Sequence, residues 1–130
     1  MTGPSADAVA SYWLRKGREA LQSAKDDQKA KRLELATSRA YFAAFSAATA
    51  VFLLRGKRFR KHSGLRAAIH SDLVKRDLID PALGRAYNRL FENRHRADYD
   101  DLPDFNADHV AKLIAEAGEF VAEMEKLAET

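Results

Sequence analysis

Cysteine is absent from this 130-residue chain, which excludes disulfide bonds, thiolate metal sites and a cysteine nucleophile. A chain without cysteine suits a reducing compartment, and we expect a cytoplasmic protein. Only three prolines and six glycines are present, and the sequence shows no glycine-rich phosphate loop and no internal repeat. Ala, Leu, Glu, Lys and Arg predominate instead, a composition that favours α-helix.

Long apolar runs are also missing. The N-terminal residues are not a basic segment followed by an apolar run, so no signal peptide is expected. The most apolar stretch runs from Ala40 to Leu54, is rich in alanine and includes Ser46 and Thr49. A membrane-spanning helix needs about 20 apolar residues, so we interpret this stretch as a buried helix of a soluble bundle and expect no membrane partner.

Charge is unevenly distributed along the chain. Residues 1–99 contain 20 Lys and Arg against 10 Asp and Glu, whereas residues 100–130 contain 2 against 9. This asymmetry fits a basic face that meets phosphates. It fits equally well an acidic last helix that neutralises basic neighbours inside the bundle.

Periodicity and capping residues predict five helices in one domain, residues 1–130. The first helix runs from about Ser5 to Lys25 and the second from about Lys29 to Leu54, with Asp26 to Gln28 as the connection and Gly56 as the C-terminal stop. Short connections predict antiparallel packing of neighbouring helices. The remaining three helices are predicted to begin at their capping residues Ser63, Asp80 (followed by Pro81) and Asn106.

The most informative segment is Asn93 to Asp100, at the end of the predicted fourth helix. Arg94 and Asp98 are four residues apart and can form a salt bridge on one helix face. Arg94 and Tyr99 lie roughly 140° apart around a regular helix, so they converge only if the helix ends early or a second subunit completes the site. Arginine suits bidentate phosphate binding, and His95 is the nearby residue whose type suits proton transfer near neutral pH. The alternative is a solvated cationic face closed by the Arg94–Asp98 pair.

Three segments resemble those of HEPN-domain proteins, specifically the small stand-alone branch. They are Ser38 to Phe45, Lys61 to Gly64 and Leu90 to Asp100, and with the helix order they cover nearly the whole chain. The resemblance implies a five-helix all-α bundle around an antiparallel helical core, which forms a homodimer and interacts with nucleotides or RNA. Many proteins of this family are metal-independent ribonucleases, or are encoded beside a minimal nucleotidyltransferase in toxin–antitoxin pairs.

The family signature is an arginine, a polar residue, a short spacer and a histidine. Arg94 matches the arginine and His95 the polar residue, whereas Tyr99 occupies the place of the closing histidine. The resemblance therefore predicts Arg94, His95 and Tyr99 as the catalytic residues, with Asp98 as a structural partner, while the missing histidine puts catalysis of the usual kind in question.

Three functions follow from this resemblance. The first is a dimer that binds nucleotide, RNA or a partner protein, as a component of a toxin–antitoxin or related defence system. The second is a metal-independent endoribonuclease, in which Arg94 stabilises the scissile phosphate and His95 activates a 2′-hydroxyl. The third is a partner of a minimal nucleotidyltransferase, with Tyr99 as the modified hydroxyl.

Further cations are candidates for phosphate or nucleic-acid binding. The run from Arg55 to His62 includes Phe59, which could stack on one base, although a solvated basic loop explains the same residues. Tyr41 is interpreted as a core residue whose hydroxyl finds a partner. The histidines lack metal-ligand spacing, so no metal site and no cofactor are expected. The candidate phosphate-binding residues are Arg39, Arg58, Arg60, Lys61 and Arg96. Arg39 could line the same cleft as Arg94 or could instead pair with Asp98.

Overall fold

A computed structural model describes residues 3–129 of the chain, and within them every regular element is helical. The five-helix all-α bundle expected from the sequence is confirmed. The helices are α1 (Ala6–Lys29), α2 (Leu33–Leu54), α3 (His62–Ala68, continued by a π-helical turn at Ile69–Val74), α4 (Pro81–Tyr99) and α5 (Ala107–Ala128).

Helix α2 forms the centre of the bundle, because alanine-rich surfaces let other helices approach it closely. Its alanines Ala40, Ala43 and Ala47 are fully buried. A Cβ atom built on Gly17 of α1 would lie 3.1 Å from the carbonyl oxygen of Ala43, so the two helix backbones nearly touch. The end of α1 lies beside the start of α2, where Asp27 faces Arg39, and the two helices therefore run antiparallel as predicted.

The capping residues named from the sequence act as expected at four helix ends. The side chain of Ser5 accepts a hydrogen bond from the backbone of Ala8, and Asp80 and Asn106 do the same at the starts of α4 and α5. Gly56 has a φ of +79°, the left-handed conformation that ends α2. Two backbone hydrogen bonds complete this turn, from Gly56 to Leu53 and from Lys57 to Phe52.

Three predicted boundaries are wrong. The segment from Asp26 to Gln28 is the last turn of α1 rather than a connection, and α2 begins at Leu33 instead of Lys29. Local bonds explain this extension: Gln22 donates to Asp26 at 3.0 Å, one turn apart, and Asp27 accepts from Arg32 at 2.9 Å. The other correction concerns Ser63.

Ser63 does not cap α3. The helix already begins at His62, and the capping position is held by Lys61, whose side chain makes no capping hydrogen bond. This shift places His62 in the first turn of α3, where its ring packs against α2.

Helix α2 is long and apolar enough to cross a membrane by length and composition, with a mean hydropathy of 1.2, but 67% of that stretch is buried by the other helices. The central helix of a globular bundle has the same properties. This burial agrees with the prediction of a core helix over Ala40 to Leu54.

Ion pairs connect the acidic α5 to its basic neighbours. Arg18 of α1 pairs with Glu125 at 2.7 Å, and Arg89 of α4 forms a bidentate pair with Glu116. The acidic last helix therefore neutralises part of the basic surface, as one of the two interpretations of the charge asymmetry proposed.

Candidate functional site

A cleft opens where the first half of α2, the last turns of α4 and the start of α3 meet. Its volume is about 290 Å³. Polar side chains from all three helices reach it, together with apolar groups at its edge. We call it the Arg94 cleft, and its lining residues are Leu35, Ser38, Arg39, Tyr41, Phe42, His62, Arg94 and Asp98.

Arg94 is held in the cleft by a short chain of polar contacts. Its Nε atom lies 2.8 Å from Oδ2 of Asp98, the salt bridge predicted from their four-residue spacing. The hydroxyl of Ser38 on α2 donates to the other carboxylate oxygen of Asp98 at 2.7 Å. Because Asp98 is tied to both helices, it fixes the direction in which the guanidinium group of Arg94 points.

Tyr41 and His62 form the opposite wall of the cleft. The Tyr41 hydroxyl and His62 Nδ1 are 2.8 Å apart, so the tyrosine is a core residue with a hydroxyl partner, as expected. The guanidinium group of Arg94 lies 5.5 Å from the centre of the Tyr41 ring. Burial raises the pKa of Tyr41, and its hydroxyl keeps its proton at neutral pH.

The electrostatics of the cleft keep His62 neutral. Burial lowers the pKa of His62, and the positive charge of Arg94 lowers it further. A histidine with an ordinary pKa near 6.5 is already mostly neutral at pH 7, so this lowering favours the basic form still more. The ring also stacks on Phe45, with 4.4 Å between ring centres, which fixes its orientation.

His95 and Tyr99 lie outside the cleft. Because α4 continues to Tyr99, the two side chains share a different face of the helix from Arg94. Tyr99 is 63% exposed, and its ring packs against His95 with 4.8 Å between the ring centres. Of the three residues predicted as catalytic, Arg94 alone lines the cleft of this protomer.

Comparison with known proteins agrees with this arrangement of helices. The family model of the HEPN domain matches residues 10–127. This chain belongs to the HEPN-domain family. A UPF0332 protein of Thermotoga maritima is 39% identical over 123 residues, which make up 95% of this chain and 93% of that protein.

Two more distant similarities accompany these matches. A protein of Methanocaldococcus jannaschii, named "Putative toxin MJ0142", is 22% identical over 113 residues, or 87% of this chain and 77% of the relative. The crystal structure of TT1696 from Thermus thermophilus matches with a TM-score of 0.76 at 20% identity, over 91% of this chain and 97% of that one. This last likeness shows that the two chains share the HEPN-type helical fold.

In this HEPN protein Arg39 lines the cleft with Arg94, one of the two placements expected. It does not pair with Asp98, because its nearest carboxylate is Asp27, at 3.6 Å. Arg39 is exposed on the outer edge of α2, and Ser38 takes the position beside Asp98 instead. The cleft therefore has two arginines and a single carboxylate among its lining residues.

The remaining candidate phosphate ligands lie in two places. Arg58, Arg60 and Lys61 are exposed on the connection between α2 and α3, and this connection ends at His62 in the cleft. Arg96 is held elsewhere: its guanidinium group lies 4.7 Å from the ring centre of Phe105. It also donates to the carbonyl oxygen of Asp104 in the following loop and to the side-chain oxygen of Asn93 in its own helix. It anchors the loop that follows α4 and does not line the cleft.

Three polar residues of the cleft were not predicted as site residues, namely Ser38, His62 and Tyr41, the last being expected only as a core residue. The sequence did contain a signal for them, because each lies in one of the three segments that resemble the HEPN family. Ser38 also interrupts an apolar helix with a hydroxyl. The sequence suggested contact between the first and third segments only through Arg39, and it did not indicate that Ser38, 60 positions before Asp98, bonds that carboxylate.

The cleft offers cationic and hydrogen-bonding groups rather than a ligand set for a metal. Among residues 3–129 there is no group of three or more His, Asp or Glu side chains positioned to hold a metal ion. The arrangement can bind an anion at Arg94 and can move a proton at His62.

Proposed function

We propose that the Arg94 cleft binds a phosphate of a nucleotide or of RNA. The observation that carries the proposal is the fixed position of Arg94, whose Nε atom pairs with Asp98. Among residues 3–129 the two terminal nitrogens of this guanidinium group have no hydrogen-bond partner. They form a planar fork that matches two phosphate oxygens.

The surroundings of Arg94 support an anionic ligand. Arg39 adds a second positive charge to the cleft, and its side chain is exposed to solvent. The connection that carries Arg58, Arg60 and Lys61 leads into the same region through His62. Cations around one opening raise the local concentration of a phosphate ligand and speed its association.

We further propose that the protein acts as a cytoplasmic homodimer in a toxin–antitoxin or related system. The name of the archaeal relative supports a role of this kind, as does membership of the HEPN family. A dimer would bring a second Arg94 cleft close to the first if the partner packs against α4. Light scattering coupled to size-exclusion chromatography measures this oligomeric state directly.

Binding of a fluorescein-labelled RNA pentamer, followed by fluorescence anisotropy, tests the phosphate site. We expect Arg94→Gln to weaken binding roughly tenfold to a hundredfold, because a hydrogen bond to a charged group is worth about 1.5–3 kcal/mol. The slope of log affinity against log salt concentration should also become less steep, by the amount that about one phosphate contact contributes. Arg85→Gln is the matched control, since Arg85 is an exposed residue of the same helix.

Unchanged affinity of Arg94→Gln would contradict the proposal. So would an equal loss in both variants, because that result would indicate diffuse attraction by the whole basic surface. Circular dichroism of each variant confirms that the helical bundle is intact before binding is compared.

A second candidate function, a metal-independent endoribonuclease, is favoured by the position of His62. This residue is neutral in the cleft that holds Arg94, whereas His95 lies outside it. We propose that His62, rather than His95, accepts the proton of a ribose 2′-hydroxyl. The 2′-oxygen then bonds to phosphorus, the bond from phosphorus to the 5′-oxygen breaks, and that oxygen takes a proton from water while His62 returns its proton to solvent.

Cleavage of single-stranded RNA in EDTA tests this second function. The expected result is activity that is lost in Arg94→Gln and in His62→Ala and is kept in His95→Ala. Loss in His95→Ala with retention in His62→Ala would reverse the assignment. No cleavage by the folded wild-type protein would leave phosphate binding as the function of the cleft.

A further inference from the structure

A second cavity is lined by Phe45, whose ring stacks on His62 of the Arg94 cleft. It has a volume of about 180 Å³, four of its nine lining residues are aromatic, and we call it the aromatic pocket. Trp13 of α1 meets Phe45 edge-on at 6.2 Å. Phe52 of α2 meets Phe59 edge-on at 5.3 Å. The pocket is therefore bounded by flat apolar surfaces from two helices and from the basic connection.

Two cations form the rim of the aromatic pocket, Lys57 and Arg58. Lys57 is already neutralised, because its ammonium group lies 2.7 Å from Asp72. Arg58 has no acidic partner among residues 3–129 and remains available. A flat apolar cavity with an unneutralised cation at its mouth is complementary to an aromatic ring attached to an anion, which is the chemistry of a nucleobase and its phosphate.

A stacked pair of rings connects the aromatic pocket with the Arg94 cleft. Phe45 lines the pocket, and its ring is stacked on His62 of the cleft with 4.4 Å between ring centres. The chain passes from Arg58 at the pocket through exposed Arg60 and Lys61 to His62. Exposed cations therefore follow one another along the chain from one cavity to the other.

We propose that the aromatic pocket binds an unpaired base of a single-stranded nucleic acid whose phosphate lies in the Arg94 cleft. The inference rests on the proposed phosphate-binding function and assigns a ligand to a second cavity beside it. A strand fits better than a free nucleotide, because the two cavities are separated by a ring pair and joined by several cations. A duplex is excluded from this mode, since a base must leave its stack to enter such a pocket.

The chain offers a built-in probe, because Trp13 is its single tryptophan and lines the pocket. A base stacked near Trp13 should quench its fluorescence. The experiment titrates the full-length protein with two RNA pentamers, pentaadenylate and an abasic ribose-phosphate strand of the same length. Anisotropy of a 5′ label reports binding, and tryptophan emission reports occupation of the pocket.

We expect both strands to bind, and only pentaadenylate to quench the fluorescence of Trp13. Pentaadenylate should also bind at least about fivefold more tightly than the abasic strand, given the usual contribution of one stacked base. Phe59→Ala removes one wall of the pocket. Phe59 is 37% exposed, so this variant should keep its fold. Phe59→Ala should weaken the affinity for pentaadenylate by about fivefold or more and leave the affinity for the abasic strand unchanged. Arg85→Gln should bind both strands as wild type does.

The outcomes separate this inference from the proposed function. If both strands bind with equal affinity and Trp13 emission does not change, the base pocket is refuted while the phosphate site stands. If neither strand binds, both proposals fall. If adenosine monophosphate binds and quenches as strongly as pentaadenylate, the pocket serves a free nucleotide, and the inference of a strand is overturned.

Discussion

Replacing Gly17 and Gly118 by alanine, one at a time, tests how closely α1 and α2 approach each other. Both glycines lie in the interior of a helix, Gly17 in α1 and Gly118 in α5, so the change in helix propensity is the same at both positions. Their surroundings differ. A Cβ atom at Gly17 would lie 3.1 Å from the carbonyl oxygen of Ala43, whereas at Gly118 it would lie 3.7 Å from a methyl group of Leu21.

The expected magnitudes follow from this contrast. Alanine is favoured over glycine in a helix interior by about 1 kcal/mol, and an ordinary van der Waals contact does not oppose that gain at Gly118. At Gly17 the new methyl group presses on backbone, which cannot rotate away, and overpacking of this kind costs about 1–3 kcal/mol. Gly118→Ala should therefore be more stable than wild type, and Gly17→Ala should be at most as stable as wild type.

Urea denaturation followed by far-ultraviolet circular dichroism measures both free energies of unfolding. We expect the two variants to differ by about 1–3 kcal/mol, with equal slopes against urea. Equal stabilisation by both substitutions would refute the reasoning, because it would show that α1 does not lie against the backbone of α2. The result matters for the aromatic pocket, since this contact positions Trp13 beside Phe45.

Three further predictions concern single residues. Burial lowers the pKa of His62 in the folded protein, so the stability that neutral His62 contributes is present above the ordinary histidine pKa near 6.5 and is lost as the pH falls through the folded value. Between about pH 7 and about pH 5, urea denaturation should therefore show a larger loss of unfolding free energy for wild type than for His62→Gln. Equal losses in the two proteins would contradict this. Asp80→Ala removes the hydrogen bond to the backbone of Ala82 and should cost about 1 kcal/mol by thermal or urea unfolding, whereas Asp101→Ala in an exposed turn should cost nothing measurable. The hypothesis that a minimal nucleotidyltransferase modifies Tyr99 requires an accessible hydroxyl, and Tyr99 is exposed. If the hypothesis holds, co-expression with such an enzyme should add a nucleotide that intact-protein mass spectrometry detects in wild type and in Tyr12→Phe but not in Tyr99→Phe. An adduct that persists in Tyr99→Phe would rule out Tyr99.

Local signals in the sequence predicted the helices well. Each cap at Ser5, Asp80 and Asn106 depends on a side chain that bonds backbone within three residues, so the information lies next to the boundary. The end of α1 was predicted wrongly because side-chain pairs stabilise its last turn, at a place where two consecutive aspartates resemble a connection. Whether these side chains stabilise the helix or a connection depends on their rotamers, which residue types alone do not determine.

The candidate site was predictable only where its contacts are local. Arg94 and Asp98 share one helix, and their four-residue spacing was enough to indicate the salt bridge. His62 reaches the same cleft from another helix, and no spacing rule connects it to Arg94. Tyr99 was placed with Arg94 by its position in the signature, yet the unbroken helix turns it to a different face.

The sequence by itself determined that this chain forms a helical bundle of the HEPN family, because helix periodicity, caps and short signature segments are encoded in neighbouring residues. It also determined that Arg94 would be paired with a carboxylate. Tertiary structure alone decided which side chains share the cleft, which cations stay unpaired and which rings enclose the aromatic pocket. The physical reason is that the packing of α2 against α1, α3 and α4 brings together residues that are distant in the chain, and only that packing sets their distances and burial.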